Sequence, residues 1–286
     1  MHKVKEEILE KIIEGLGKGY SWNSYLPNQA APFTHQNIVT EKAYRGVNQL
    51  LLTFQAFEKG YRSNKWGTYK AFKNKGYQIN KGEKSTRCLF YKFIVKENKE
   101  TLEEETRVII SYFNLFNLSQ TDAEIPEEEK TEHSESFDYL GLIQVKQPDM
   151  VIEYNDYATP QYNVTQDKIV MPSRDIYENI NNFYGSAFHE VGHWSGAEKR
   201  LNRFKDHDDK ESYSKEELVA EIFSAMTLSH FGLNSEERLE NSTAYLEGWI
   251  NAIGENPSIL FEAASKSQKA FDFIFDNQNT GTNRKL

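Results

Sequence analysis

The stretch Ala187-Phe188-His189-Glu190-Val191-Gly192-His193-Trp194 carries the pattern His-Glu-x-x-His. Four residues is slightly more than one helical turn, so His189 and His193 stack on one helix face and can share one metal ion. Neutral imidazoles suit Zn²⁺, and Mn²⁺ is another divalent candidate. Glu190, beside the first His, can reach a water at that ion and take its proton. The competing reading is an amphipathic helix whose two His serve only packing.

Two His do not hold a catalytic zinc; three protein ligands and a water do. A third His six residues after the second is one common source, but Lys199 occupies that position. The other source is a Glu on a following helix, and Tyr213-Ser214-Lys215-Glu216-Glu217-Leu218-Val219-Ala220-Glu221-Ile222-Phe223 supplies candidates. Glu217 and Glu221 share a face at i, i+4, so one can bind the metal while the other orients a ligand His. Ser214 and Glu217 also form a capping-box pattern, which gives Glu217 a structural alternative. The order Glu-x-x-Ala-Glu-x-Phe resembles the third-ligand helix of Glu-type zincins, where the first acid binds metal, and this favours Glu217. Burying such a Glu beside two His without a cation would be costly.

The 286 residues are long enough for two domains. No apolar run is long enough for a bilayer. Met1–Glu10 carries acids where a signal peptide needs an apolar core, so a cytoplasmic location is expected. Cys88 is the only cysteine, which excludes an intrachain disulfide and cysteine-based metal sites. The net charge of −9 conceals a separation. Residues 41–99 hold 14 Lys/Arg against 4 Asp/Glu, a net of +10, and residues 100–140 hold 2 against 12, a net of −10.

The N-terminal half reads as small, mixed α+β and basic. Val4, Ile8, Leu9, Ile12, Ile13 and Leu16 recur at helical spacing. An aromatic segment follows from Tyr20 to Pro32. The run Val47 to Glu58 predicts a buried helix. Thr68 is placed to cap a short helix closed by Gly76. Tyr77–Asn80 and Thr86–Lys96, around the turn Lys81-Gly82-Glu83-Lys84, predict a β-hairpin, and Arg107–Phe116 another strand. Arg62, Lys65, Lys70, Lys81 and Lys84 are interleaved with Trp66 and Tyr69. Cations neutralise phosphates, and aromatic faces stack on unpaired bases, so the pattern suits single-stranded nucleic acid better than duplex. A solvated lysine face over an aromatic core is the alternative.

Residues 119–136 are acidic and aperiodic, and 121–136 reads as a linker. Beyond it, Leu142–Val145, Met150–Tyr154, Ala158–Val164 and Lys168–Pro172 predict short strands. Ile176–Trp194 is the motif helix. The strand edge before it could hold an extended peptide by backbone hydrogen bonds. Further helices are expected at Thr243–Ile250 and from Pro257 towards Phe275.

These motifs, in this order, resemble the ArdC-type antirestriction proteins of plasmids, phages and other mobile elements. Tyr44-Arg45-Gly46-Val47-Asn48, Trp66-Gly67-Thr68-Tyr69, Lys81-Gly82-Glu83-Lys84 and Phe113–Thr121 are similar to the first domain of that family. The segments from His189 to Gly196, Arg200-Leu201-Asn202-Arg203 and Glu216–Glu221 are similar to its metal helix, the turn after it and its third-ligand helix. Tyr245, Trp249 and Ala263–Ala270 resemble its C-terminal helices. The acidic insertion and Gly192, which costs about 1 kcal/mol of helix propensity, depart from the pattern.

The resemblance implies a two-domain α+β protein. A single-stranded-DNA-binding domain (1–120) and the acidic linker (121–136) precede a zincin-like metallopeptidase domain with a short β-sheet (137–286). It implies DNA contacts at Tyr44, Arg45, Asn48, Arg62, Lys65, Trp66, Tyr69, Lys70, Lys81 and Lys84, and protection of incoming DNA from host restriction. For the metal domain the expected substrate is a host restriction protein or another protein, with Tyr213 or His207 as oxyanion stabilisers. A non-enzymatic DNA-coating protein with a structural metal is the alternative.

Overall fold

A computed structural model describes residues 34–97, 104–125, 137–204, 210–233 and 258–275. The expected first helix, the Tyr20–Pro32 stretch, most of the acidic segment, His207, the Thr243–Ile250 helix and the C-terminal tail lie outside the described residues. The chain divides into two compact units, whose main parts are His35–Glu127 and Glu128–Leu286. Each unit mixes helices and strands, the α+β class implied by the sequence.

In the first unit β1 (Gln36–Asn37), β2 (Lys65–Gly67), β3 (Thr86–Glu97) and β4 (Glu104–Asn117) form one sheet in the order β1-β2-β4-β3. The long antiparallel pair runs from Thr86 opposite Leu115 to Glu97 opposite Glu104. The hairpin expected between Tyr77–Asn80 and Thr86–Lys96 does not form; β3 pairs with β4, and Ile79 makes only an isolated bridge to Thr121. The reason lies in the Lys81–Lys84 turn, which docks on a 3-10 turn at Leu118–Gln120. There the Asn80 amide donates to the Gln120 carbonyl, and the Gln120 side chain donates to Glu83 Oε2 and the Lys84 carbonyl. Helix α1 (Val47–Lys59) buries Val47, Leu50, Leu51, Leu52 and Phe54. Helix α2 (Tyr69–Asn74) is capped by Thr68 Oγ1, which accepts from Ala71 N, and it buries Phe72.

In the second unit β5 (Val151–Tyr154), β6 (Gln161–Asn163) and β7 (Lys168–Met171) form a sheet in the order β5-β7-β6. β5 runs parallel and β6 antiparallel to β7. The strand expected at Leu142–Val145 is instead part of helix α3 (Tyr139–Lys146). Asp138 caps it by accepting from Gly141 N. Tyr139, Leu140 and Ile143 are buried while Leu142 and Val145 are exposed, a helical rather than an alternating pattern.

Helix α4 (Ile180–Ser195) carries the motif and begins later than expected, after a 3-10 turn at Arg174–Ile176. Helix α5 (Lys210–His230) packs along it, and α6 (Ser258–Phe275) packs on α5, with Ser267 Oγ donating to the Val219 carbonyl. Phe183, Phe188, Val191, Trp194, Phe223, Leu228 and Ile274 belong to the shared core.

Small residues set the approach of α4 to α5. A Cβ on Gly192 would sit 3.0 Å from the Ala220 Cα and 3.2 Å from the Phe223 ring. Two turns earlier, Ser224 Oγ donates to the Gly185 carbonyl at 2.8 Å. The helix-weakening glycine inside the motif is therefore a packing requirement. Gly192→Ala gains helix propensity but must push backbone from backbone. It is expected to destabilise the protein by about 1–3 kcal/mol, read from the midpoint of chemical denaturation.

Candidate functional site

The closeness of α4 and α5 brings two carboxylates of one helix against two imidazoles of the other. His189 Nε2 and His193 Nε2 face each other at 3.1 Å. Glu217 Oε2 lies 3.3 Å from His189 Nε2, and its Oε1 lies 3.4 Å from His193 Nε2. Donors bonded tetrahedrally to Zn²⁺ at its usual bond lengths lie about 3.3–3.4 Å apart. Two imidazole nitrogens 3.1 Å apart with one Glu217 oxygen against each suit such an ion, and one ligand atom each from His189, His193 and Glu217 lies within 4.8 Å of the others, the triangle of donors found among the described residues.

Of the two candidate acids on α5, Glu217 points at the triangle. Glu221 lies on the rear of His189, with Oε2 at 3.1 Å from Nδ1. The capping alternative for Glu217 does not apply, because α5 starts at Lys210 and Ser214 is already inside the helix.

Charge in the cluster is shared. Burial opposes a proton on His193, but Glu216 and Glu217 outweigh it and push the imidazole up to about 10. Burial likewise opposes charge on Glu217, yet His189 and His193 hold its carboxyl well below the usual range.

Glu190 is buried on the same helix and points to β6. Its Oε2 accepts from the Tyr162 backbone N–H at 2.7 Å. An open cleft of about 550 Å³ runs past it, lined by Pro160, Tyr162, Val164, Phe204 and Tyr213 besides the metal-site residues.

The strand is clamped to the helix by Tyr162, Asp167 and Arg200, to which sequence reasoning assigned no role. Tyr162 OH donates to Asp167 Oδ1 at 2.6 Å, and Arg200 forks onto both Asp167 oxygens, the Tyr162 hydroxyl and the Trp194 carbonyl. The Arg200 guanidinium also stacks 3.9 Å over the Trp194 ring. A polar residue in a turn looks like ordinary surface, so only the fold reveals Asp167.

In the first unit Arg45, Arg62, Lys70, Lys81 and Lys84 are exposed, and Tyr69 shows 59% of its surface. Lys65 is half-buried and donates to Gln36 Oε1. Tyr44 is half-buried, its ring stacked on Phe113 and its hydroxyl accepting from Asn37.

Two of the expected DNA contacts are structural instead. Trp66 is fully buried, with its indole N–H donating to His35 Nδ1, so neither ring face can meet a base. Asn48 spends its amide on the Leu89 backbone, donating to O at 2.6 Å and accepting from N at 2.8 Å. Phe90 and Tyr112, on the β3–β4 hairpin, are exposed aromatics that the sequence reading did not select. Strand alternation against the inward Leu115 and Asn117 was the available signal for Tyr112, whereas Phe90 shares the parity of the buried Thr86 and Cys88 and alternation would have placed it inward.

Residues 144–266 match the family model of a zincin-like metallopeptidase, and residues 2–136 match that of the N-terminal domain of anti-restriction factor ArdC. The metal-free crystal structure of the antirestriction protein ArdC from plasmid R388 superposes with a TM-score of 0.78 at 30% identity, over 96% of this chain and 97% of that one. This chain belongs to the ArdC antirestriction family. The Mn(II)-bound structure of the same R388 family member gives a TM-score of 0.76 at 29% identity, over 97% and 99% of the two chains. A DNA primase TraC of Escherichia coli is 29% identical over 94% of this chain, which spans only 27% of the primase's length. The zincin-like domain, the donor triangle and the Mn(II)-bound family member together indicate a divalent metal. Among the described residues no helix is long and apolar enough to cross a membrane.

The Asp167 cluster makes stability depend on pH in a definite direction. Burial opposes charge on Asp167, but Arg200, Lys199 and Tyr162 outweigh it and hold the carboxyl below its ordinary value. A depressed folded-state pKa adds stability that is present above the ordinary carboxylate value, about 3.9, and is lost as pH falls through the folded value. Asp167→Asn removes that contribution. The difference in unfolding free energy between the two proteins is expected to be largest near neutral pH and to narrow below about pH 4 in a urea titration series.

Proposed function

We propose that this protein protects the DNA of a mobile genetic element from host restriction by binding single-stranded DNA through residues 1–120. Residues 137–286 carry a zinc-dependent metallopeptidase site, and 121–136 join the two as an acidic linker. The observation that carries the second half is the triangle of His189, His193 and Glu217 with Glu190 one residue from the first ligand. His189, His193 and Glu217 would hold the ion, and Glu221 would orient His189.

When bound, the ion supplies Lewis acidity, polarising a carbonyl oxygen and lowering the pKa of water to about 7. Glu190 is the general base. The Tyr162 N–H fixes its Oε2, which leaves Oε1 to take a proton from water and pass it to the leaving amine nitrogen. An extended segment of a protein substrate would lie along β6, in the cleft lined by Pro160, Tyr162, Val164 and Phe204. Tyr213, exposed and lining the cleft, would meet the developing oxyanion.

For DNA, the support is the set of exposed cations Arg45, Arg62, Lys70, Lys81 and Lys84 together with the exposed Tyr69. Cations there neutralise phosphates, and Tyr69 offers a face for an unpaired base.

Metal analysis after zinc loading is expected to give one ion per chain, lost in His193→Ala and kept in Glu190→Gln. Glu190→Gln should also lose antirestriction in cells; full protection by that variant would mean that DNA coating around a structural ion is the mechanism. Tyr69→Ala is expected to weaken single-strand binding by about 5- to 100-fold, the range for one stacked base, and duplex binding far less. Lys70→Ala should weaken both and reduce the salt slope in a gel-shift series.

A further inference from the structure

His193 needs a partner on its rear nitrogen if its Nε2 is to face a cation, because a neutral imidazole that offers one nitrogen carries its proton on the other. His189 has Glu221 in that place at 3.1 Å. Behind His193 stands Glu216, with Oε1 at 3.6 Å from Nδ1, an ion-pair distance slightly beyond a hydrogen bond.

Glu216 is not a loose surface acid. It is buried, and Arg203 holds both of its oxygens: Nε donates to Oε1 at 3.2 Å and to Oε2 at 3.0 Å, and Nη2 to Oε1 at 2.6 Å. The same guanidinium is bolted to the metal helix. Nη2 donates to the Gly192 carbonyl at 2.6 Å and Nη1 to Ser195 Oγ at 2.9 Å, while Ser195 Oγ donates to that carbonyl at 2.6 Å.

Room for this arrangement comes from Gly196. A Cβ there would lie 2.8 Å from Arg203 Nη2 and 3.0 Å from Cζ. The backbone turns back at this point, with Arg203 N donating to the Gly196 carbonyl at 2.8 Å.

We propose that Arg203, through Glu216, is a positioning residue of the metal centre: the pair fixes a carboxylate against the Nδ1 edge of His193 and so aims its Nε2 at the cation. This inference rests on the metal-site reading above. Arg203 touches no ligand atom of the triangle. A buried Arg–Glu pair is by itself a weak source of stability, because desolvation of both charges offsets their attraction. Its placement against His193, at the end of a helix where the capping Gly196 makes space for it, is what the centre requires. Lysine in place of Arg203 would keep the charge but not the fork that spans two oxygens.

The test compares the full chain with Glu216→Ala, Arg203→Lys and Gly196→Ala. The readouts are the Kd for Mn²⁺ by calorimetry, the visible absorption of the Co²⁺-loaded protein, and the Tm of the metal-free protein as a fold check. Glu216→Ala is expected to raise Kd by about 10- to 100-fold and to shift the Co²⁺ bands, because His193 is no longer held. Arg203→Lys should fall between this variant and the wild type, and Gly196→Ala, whose Cβ would displace the Arg203 guanidinium, should imitate it with both members of the pair unchanged in sequence.

If Glu216→Ala does not fold, the other two variants decide. Folded variants with the wild-type Kd and spectrum would overturn the relay and leave the metal centre standing. A wild-type chain that binds neither Mn²⁺ nor Co²⁺ would remove the metal centre itself, and the relay with it.

Discussion

The close approach of α4 and α5 at Gly192 and Ala220 is the constraint on which the site depends. A carboxylate reaches only a short distance from its backbone, so Glu217 can meet the imidazoles at 3.3 and 3.4 Å only if the two helix axes are held close. Gly192 allows this by having no Cβ to collide with Ala220. The contact is anchored two turns away along α4 by Ser224 on the Gly185 carbonyl and, on the far side of α5, by Ser267 on the Val219 carbonyl. These are side-chain hydroxyls satisfying helix carbonyls, and they fix the rotation of α5 as well as its distance. Rotation matters because Glu216, Glu217 and Glu221 take different places around two rings.

That geometry concentrates charge. Glu190, Glu216 and Glu221 are buried and Glu217 is nearly so, all grouped around two imidazoles. Each has a specific partner: Tyr162 N–H for Glu190, Arg203 for Glu216, both Nε2 atoms for Glu217 and Nδ1 of His189 for Glu221. Burial alone would neutralise such acids by raising their pKa. Instead the carboxyls of Glu216 and Glu217 stand below the usual range, because opposing cations outweigh burial. A packing helix with incidental His would have no use for this balance. A site meant to exchange a proton for a divalent cation does.

The sequence made the metal helix and its partner legible because both depend on short-range spacing. His189 and His193 one turn apart, and Glu217 with Glu221 one turn apart, are periodic facts that survive folding unchanged. The choice between the two acids was not local: it depends on how α5 is rotated against α4, and only packing sets that. Leu142–Val145 misled for a related reason. Four apolar-biased residues suit a strand or a helix equally, and Asp138 as a cap with Ile143 packed inward decides for the helix. The Tyr77–Asn80 hairpin does not form because the Lys81–Lys84 turn docks on the distant turn at Leu118–Gln120 instead of joining its nearest neighbours. Trp66 and Asn48 show the same limit at the level of single residues. An aromatic among lysines reads as a stacking platform, yet Trp66 lies in the core against His35 and Tyr61.

Tyr162 joins the strand to the chemistry by both of its ends. Its backbone N–H holds Glu190, and its hydroxyl is held by Asp167 and Arg200, which in turn grips the last turn of α4 through the Trp194 carbonyl. β6, the turn carrying Asp167 and the metal helix therefore form one closed loop of contacts. Asp167 sits in the left-handed region at φ +49, a conformation Asp tolerates better than most side chains, and this aims its carboxylate back at Arg200. On the proposed reading, the strand that would set the register of an extended peptide is also the strand that orients the base. A peptide laid along β6 cannot take the Tyr162 amide without releasing Glu190, so its hydrogen bonds must fall on the flanking edge groups. On that reading the scissile carbonyl would lie against Tyr162, opposite the carboxylate proposed to serve it.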